Sequence, residues 1–276
     1  MRSGRIRIRR ATTVAALAVV LVAGCSDNHQ TAAPYQLSDN VQFSYRWSST
    51  PGLGLDSDAA IVTRATIESA FIATIMRTTN KSDEGKFTYP GYTRAVAPVM
   101  TNAPGSLYSV WDAGTLDSWV PVHGTAYAYL VSVQKSSGDA TAHTMDALAC
   151  VWFNGLSVSL QPESFRSLFV LVPQAVRLKL RAPQDETPKL TALGHGPSRY
   201  PTTDVFGQWS VESVAVNSSW IQAKGVPYED PCLGLPNNPV PPEQLNTTEL
   251  TYYPKHLPAL DPVPGWAATN AEPTKP

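Results

Sequence analysis

AAIVTRATIESAFIATIMRT, residues 59–78, is the stretch whose reading decides the fold. It holds neither Gly nor Pro, and Ser57 or Asp58 ahead of it can cap a helix. At roughly 100° per residue, Ala60, Ile61, Ala65, Ile67, Phe71, Ile72, Ile75 and Met76 fall in one arc. Thr63, Thr66, Ser69, Ala70, Ala73 and Thr74 fall in the opposite one. The pattern predicts one main amphipathic helix facing a core. Two charges break the apolar arc: Arg64 and Glu68, an i,i+4 pair, project into its middle. Burying such a pair is expensive unless both ends find partners. Two readings stay open: the pair snorkels at the edge of the face, or it lines a cavity.

Strand signals surround this helix. In Val41-Gln42-Phe43-Ser44-Tyr45-Arg46-Trp47 apolar and polar residues alternate, as in a half-buried strand. Tyr127, Tyr129, Val131 and Val133 alternate up to a turn at Ser136–Asp139, and Met145–Phe153 closes an antiparallel hairpin. Asn154-Gly155 marks a further turn, Leu168–Val172 an apolar strand, and Gly207–Val216 another strand continued by Trp220-Ile221. Along Ala175–Arg181, Val176, Leu178 and Leu180 share one face and Arg177, Lys179 and Arg181 the other. That basic stripe is either a solvated strand face or a docking surface for an acidic partner or lipid head group. Trp111 and Trp119 flank Asp112 and Asp117, a grouping that plugs a sheet end or holds a sugar or cation. Pro98–Gly105 and 182–201 read as loops. Twelve of the 24 prolines fall in the last fifty residues, so 227–276 is an extended tail, neither helix nor central strand. The fold class is therefore α+β: a curved antiparallel sheet packed on one main helix over residues 41–226, followed by the Pro-rich extension.

At the other end, Arg2, Arg5, Arg7, Arg9 and Arg10 precede an apolar run, Ala11–Ala23, too short to span a bilayer permanently. The run closes on Leu21-Val22-Ala23-Gly24-Cys25. This segment resembles the lipobox of bacterial lipoproteins. The resemblance implies that residues 1–24 are a signal peptide removed before Cys25, and that Cys25 carries a diacylglycerol anchor on the extracytoplasmic face of the cell membrane. Residues 25–40 then read as a flexible tether, polar and aperiodic.

Without the leader, 252 residues remain; Lys+Arg falls from 21 to 16 while all 22 acids stay, so the mature chain stands near −6. That balance argues against nucleic acid as a partner. Apolar residues make up 43% of the chain, ample for a core. With Cys25 acylated, Cys150 and Cys232 remain; in an exported chain they read as one disulfide or as two free buried thiols. No short-spaced second ligand accompanies either, so no metal site is expected.

The order of one dominant helix, a long hairpin and a late G-x-W-x-V strand resembles the nuclear transport factor two-like cone, common in exported actinobacterial proteins. The resemblance spans Ala59–Val216 and implies a conical pocket between helix and sheet, with Arg64 and Glu68 as candidates for its lining. The chain departs from the family in its scant early helix, its N-terminal strand and its tail.

G-x-S-x-G, Walker, H-E-x-x-H and C-x-x-C motifs are absent from the sequence. Ser132-Val133-Gln134-Lys135 spells S-x-x-K, but on a strand, where that nucleophile cannot be presented. His123, His143, His195 and His256 stand at no ligand spacing. No catalytic residue and no cofactor are expected. Two functions stay open. One is a non-catalytic envelope lipoprotein that binds a small apolar ligand or serves as an accessory subunit of an envelope complex. The other is an envelope isomerase or hydrolase using polar groups in the cone.

Overall fold

Strand β2 (Val122–Lys135) carries partners along both of its edges, and the rest of the sheet is built outward from it. The structure, a computed structural model, describes residues 35–76, 87–102, 120–137, 143–161, 164–167, 173–184, 189–217, 231–232, 235, 252–253 and 255–268. All lie in one unit, Pro34–Pro276.

The expected hairpin forms between β2 and β3 (Thr144–Trp152), with Tyr127 opposite Trp152 and Lys135 opposite Met145. Strand β4 (Leu156–Gln161) then takes the next stretch of the same β2 edge, Gly124 opposite Leu156. Thus β3 and β4 are successive halves of one long partner, bent at Asn154-Gly155. The bend demands a glycine at 124: its φ is +120°, and a Cβ there would collide with the Gly155 carbonyl. Beyond the bend the sheet divides. β6 (Gln174–Arg181) and β7 (Ser210–Asn217) extend from β3, whereas β5 (Ser164–Ser167) and β8 (Tyr252–Tyr253) extend from β4. Strand β1 (Val41–Ser49) lies along β2 in parallel, Val41 opposite Val122 through Ser49 opposite Leu130. Apart from that pair the sheet is antiparallel, and it curls over one main helix: the architecture is α+β.

That helix, α1 (Asp58–Ile75), starts where the capping signal placed it: Ser57 Oγ accepts the Ala60 N–H at 3.3 Å. Its apolar arc faces the core as expected, but burial runs right round it, from Ala59 to Ala73. The arc read as polar is a second buried face. Thr63, Thr66 and Thr74 donate to the carbonyls of Ala59, Val62 and Ala70 at 2.7, 2.7 and 2.9 Å, so their hydroxyls need no water. Ser69 Oγ accepts the Tyr89 N–H. The helix touches β2, β3, β6 and a short helix α2 (Tyr92–Ala95). A second short helix, α3 (Ala97–Asn102), replaces part of the loop expected from Pro98; that proline sits in its first turn, where no N–H is needed.

The two faces of the sheet carry separate clusters. The inner face contributes Ala126, Ala128, Leu130, Ala149, Val151, Leu178 and Leu180 to the main core with α1. The outer face holds Tyr127, Tyr129, Cys150, Trp152 and Ala175, with Cys232. A bulge between Leu130 and Ser132 shifts the alternation, so Val133 joins the inner face although Tyr127 and Tyr129 point outward.

Of the proline-rich segment, 255–268 runs along the core. Val263 N–H donates to Tyr45 O and Val263 O accepts from Trp47 N–H, and Trp266 pairs with Ser198. Residues 1–34 with Cys25, Trp111, Trp119, Leu168–Val172, Trp220-Ile221 and most of the remaining tail lie outside the described residues.

Candidate functional site

Arg64 and Glu68 both come to rest inside the fold, at 0% and 1% exposure, so neither snorkels. Four segments meet at the Glu68 carboxylate. From β1, Trp47 Nε1 donates to Oε1 at 2.8 Å. From the turn before α2, the Tyr89 hydroxyl donates to Oε2 at 2.7 Å. From the C-terminal strap, Trp266 Nε1 donates to Oε2 at 3.0 Å. Indole N–H groups can only donate, and a carboxylate is the side chain that accepts from several donors at once. The strict alternation of β1 is what turns Trp47 inward beside Phe43 and Tyr45.

Arg64 is bound by backbone. Its terminal nitrogens donate to Gly194 O at 3.0 Å and Pro264 O at 2.8 Å, with longer contacts to Leu55 O and Gly265 O. Its Nε has no partner. The guanidinium carbon sits 4.4 Å from the centre of the Trp266 ring, a cation–π contact. Trp266 thus serves both charges, its face to Arg64 and its N–H to Glu68. The strap reaches this position because two glycines let backbone meet backbone: a Cβ on Gly265 would strike the carbonyls of Gly196 and Ser198, and one on Gly196 would strike Trp266 O.

Burial pushes the Glu68 carboxyl above its ordinary value, opposed by the Arg64 charge and by the bonds from Tyr89, Trp47 and Trp266. Burial pushes Arg64 down, opposed by Glu68 and Tyr89. Tyr89 and Tyr45 are raised, first by burial and then by the Glu68 charge. With every oxygen of Glu68 engaged by protein donors, this network is equipped to hold segments together.

Among the described residues, two of the hollows at the surface are set apart by their lining, and neither is bordered by Arg64 or Glu68. The first, about 470 Å³, is lined by Leu53, Ala59, Val133, Met145 and Trp209, with Asp58 and Lys189 beside them. Val133 and Met145, which pack against the main core, are only half covered here. The second, about 400 Å³, lies on the outer sheet face. Phe71 packs in the inner core against Phe153, whereas Tyr127 and Trp152 belong to the outer cluster.

Cys150 and Cys232 are joined in a disulfide, with Cα atoms 5.6 Å apart, tying the described piece of the later chain to β3. His123 and His256 stack at 4.7 Å with Phe165 edge-on, a pairing that no short-range spacing announces. Burial and His256 push the His123 imidazole down. Among the described residues no three His, Cys, Asp or Glu side chains gather as metal ligands. None of their helices is long and apolar enough to cross a membrane.

No family model, no curated protein and no solved structure matches this chain. Trp47, Tyr89 and Trp266 were not legible as members of the buried network, because the separations involved, 21, 21 and 198 residues, exceed any local pattern.

Proposed function

We propose that this chain is an extracytoplasmic lipoprotein, held to a membrane by a diacylglycerol on Cys25, whose domain binds a small apolar ligand without transforming it. The observation that carries the binding role is the apolar hollow at the hairpin end. Its volume of about 470 Å³ falls in the range of small-molecule sites, about 300–1,000 Å³. Half-buried Leu53, Val133 and Met145 with Trp209 give it an apolar floor, and Asp58 and Lys189 give it polar rims. The two buried charges that break the helix pattern are engaged by protein groups, which supports binding over catalysis.

Trp209 supplies the test, because an apolar ligand in the hollow touches its indole. Brominated decanoate titrated into the soluble domain should quench tryptophan fluorescence saturably, and Val133→Lys should abolish the saturable part while leaving the melting temperature within a few degrees. Linear quenching, or quenching indifferent to Val133→Lys, would overturn the binding role. The anchor is tested separately: intact mass should show wild-type protein cut before Cys25 and carrying lipid, and Cys25→Ala uncleaved and free of lipid.

A further inference from the structure

The outer hollow differs in chemistry from the apolar one. Its lining comes from four adjacent strands in register: Ser132 and Gln134 on β2, Asp146 and Leu148 on β3, Arg177 and Lys179 on β6, and Ser213 and Ala215 on β7. Cross-strand pairing sets these side chains in two rows, Gln134–Asp146–Lys179–Ser213 and Ser132–Leu148–Arg177–Ala215. The bulge in β2 is what brings Ser132 and Gln134 to this face.

The three cations of the β6 stripe are not equivalent. Arg181 is neutralised by Glu212 of β7. Arg177 and Lys179 are exposed and, among the described residues, have no ion pair or hydrogen bond. Both border the hollow, and Arg181 does not. Two cations against the single carboxylate of Asp146 leave one net positive charge in the lining. Ser132, Ser213, Gln134 and Asp146 together offer donors and acceptors, which suits hydroxyl groups. Half-buried Leu148 gives an apolar patch on which the carbon face of a ring can rest.

We propose that this face binds a hydroxylated anion of sugar size, a sugar acid or sugar phosphate, with its oxyanion held between Arg177 and Lys179. A planar guanidinium grips such an oxyanion through two parallel hydrogen bonds. The site is separate from the apolar hollow and does not rest on that reading.

The experiment is calorimetric titration of the purified, disulfide-intact protein with glucuronate, glucose 6-phosphate, inorganic phosphate and neutral glucose. Glucuronate or glucose 6-phosphate should bind, and glucose should bind more weakly by about tenfold or more, since it lacks the charge-assisted contacts. Arg177→Ala and Lys179→Ala should each weaken the charged ligand by a similar factor, whereas Arg181→Ala should leave it unchanged. Tight binding of inorganic phosphate but of neither sugar would overturn the hydroxyl contacts. No binding by any probe, equal binding of glucose, or equal loss in all three variants would overturn the site. All three positions are exposed, so folding is not at risk.

Discussion

The ring of Trp266 lies beneath the guanidinium of Arg64, 4.4 Å from ring centre to carbon, although the two residues are about 200 positions apart in the chain. The same indole donates to Glu68, so a neutral residue mediates between two charges one helical turn apart. Burying them is tolerable because nearly every polar atom is satisfied, Arg64 Nε excepted.

Removing one charge should be costly. Glu68→Leu strands the Arg64 guanidinium and should destabilise the fold by about 3–5 kcal/mol. Arg64→Met with Glu68→Leu should not restore stability, because Trp47, Tyr89 and Trp266 would each hold an unpaired donor costing about 1–3 kcal/mol. Urea unfolding of both variants is the measurement; a double variant as stable as wild type would show that the network is dispensable.

The pH dependence of Glu68 follows from its raised carboxyl. In the unfolded chain it titrates near 4.5; in the folded chain burial moves it higher. Between those values the folded state keeps a proton that the unfolded state has released, so stability from this group is full below 4.5 and is lost as pH rises through the folded value. The stability gap between wild type and Glu68→Gln should therefore narrow in wild type's disfavour as pH is raised from about 4 to about 8. A gap that stays constant or moves the other way excludes the shift.

The Cys150–Cys232 bond encloses a loop with a sequence separation of 82, for which chain entropy gives a stabilisation of roughly 4 kcal/mol. Intact mass under non-reducing conditions should show neither thiol alkylated, and Cys232→Ser should lower the unfolding midpoint accordingly. Two reactive thiols in the native protein would contradict the pairing.

Gly265→Ala tests the seating of the strap. The added methyl has no room between the carbonyls of Gly196 and Ser198, so the strap must lift and draw Trp266 off Glu68 and Arg64. The expected loss is about 2–4 kcal/mol, within the range of large single-site effects, and near-ultraviolet circular dichroism should report the altered tryptophan environment. An unchanged melting curve and spectrum would place the strap elsewhere.

What could be read from the chain was what repeats over a few residues. The period of two in Val41–Trp47 and Ala175–Arg181, the hairpin from Tyr127 to Phe153 and the cap at Ser57 all reappear as β1, β6, β2–β3 and the start of α1. The parallel pairing of β1 with β2 was not legible, since its partners are about 80 residues apart in sequence and share no turn. Nor was the second buried face of α1: threonines that bond their own i−4 carbonyls look polar in composition and behave as apolar in packing. The bulge at Leu130/Ser132 leaves no mark either, because Val131 and Val133 continue the alternation while the backbone turns them to opposite faces. Arg64 and Glu68 were conspicuous from the first, but apart from Leu55, nine residues before Arg64, the partners named for them come from 21 to about 200 residues away.

The distance along the chain from Arg64 and Glu68 to Trp266 has a consequence for biogenesis. A polypeptide delivered from its N-terminus presents the helix with Arg64 and Glu68 long before residue 266 arrives. Until then the pair lacks the group that lets it be buried, and closing a loop of about 200 residues is a slow, non-local step. A chain broken off before the strap is therefore expected to leave this centre short of a partner and to be cut by proteases sooner than a chain that carries the strap.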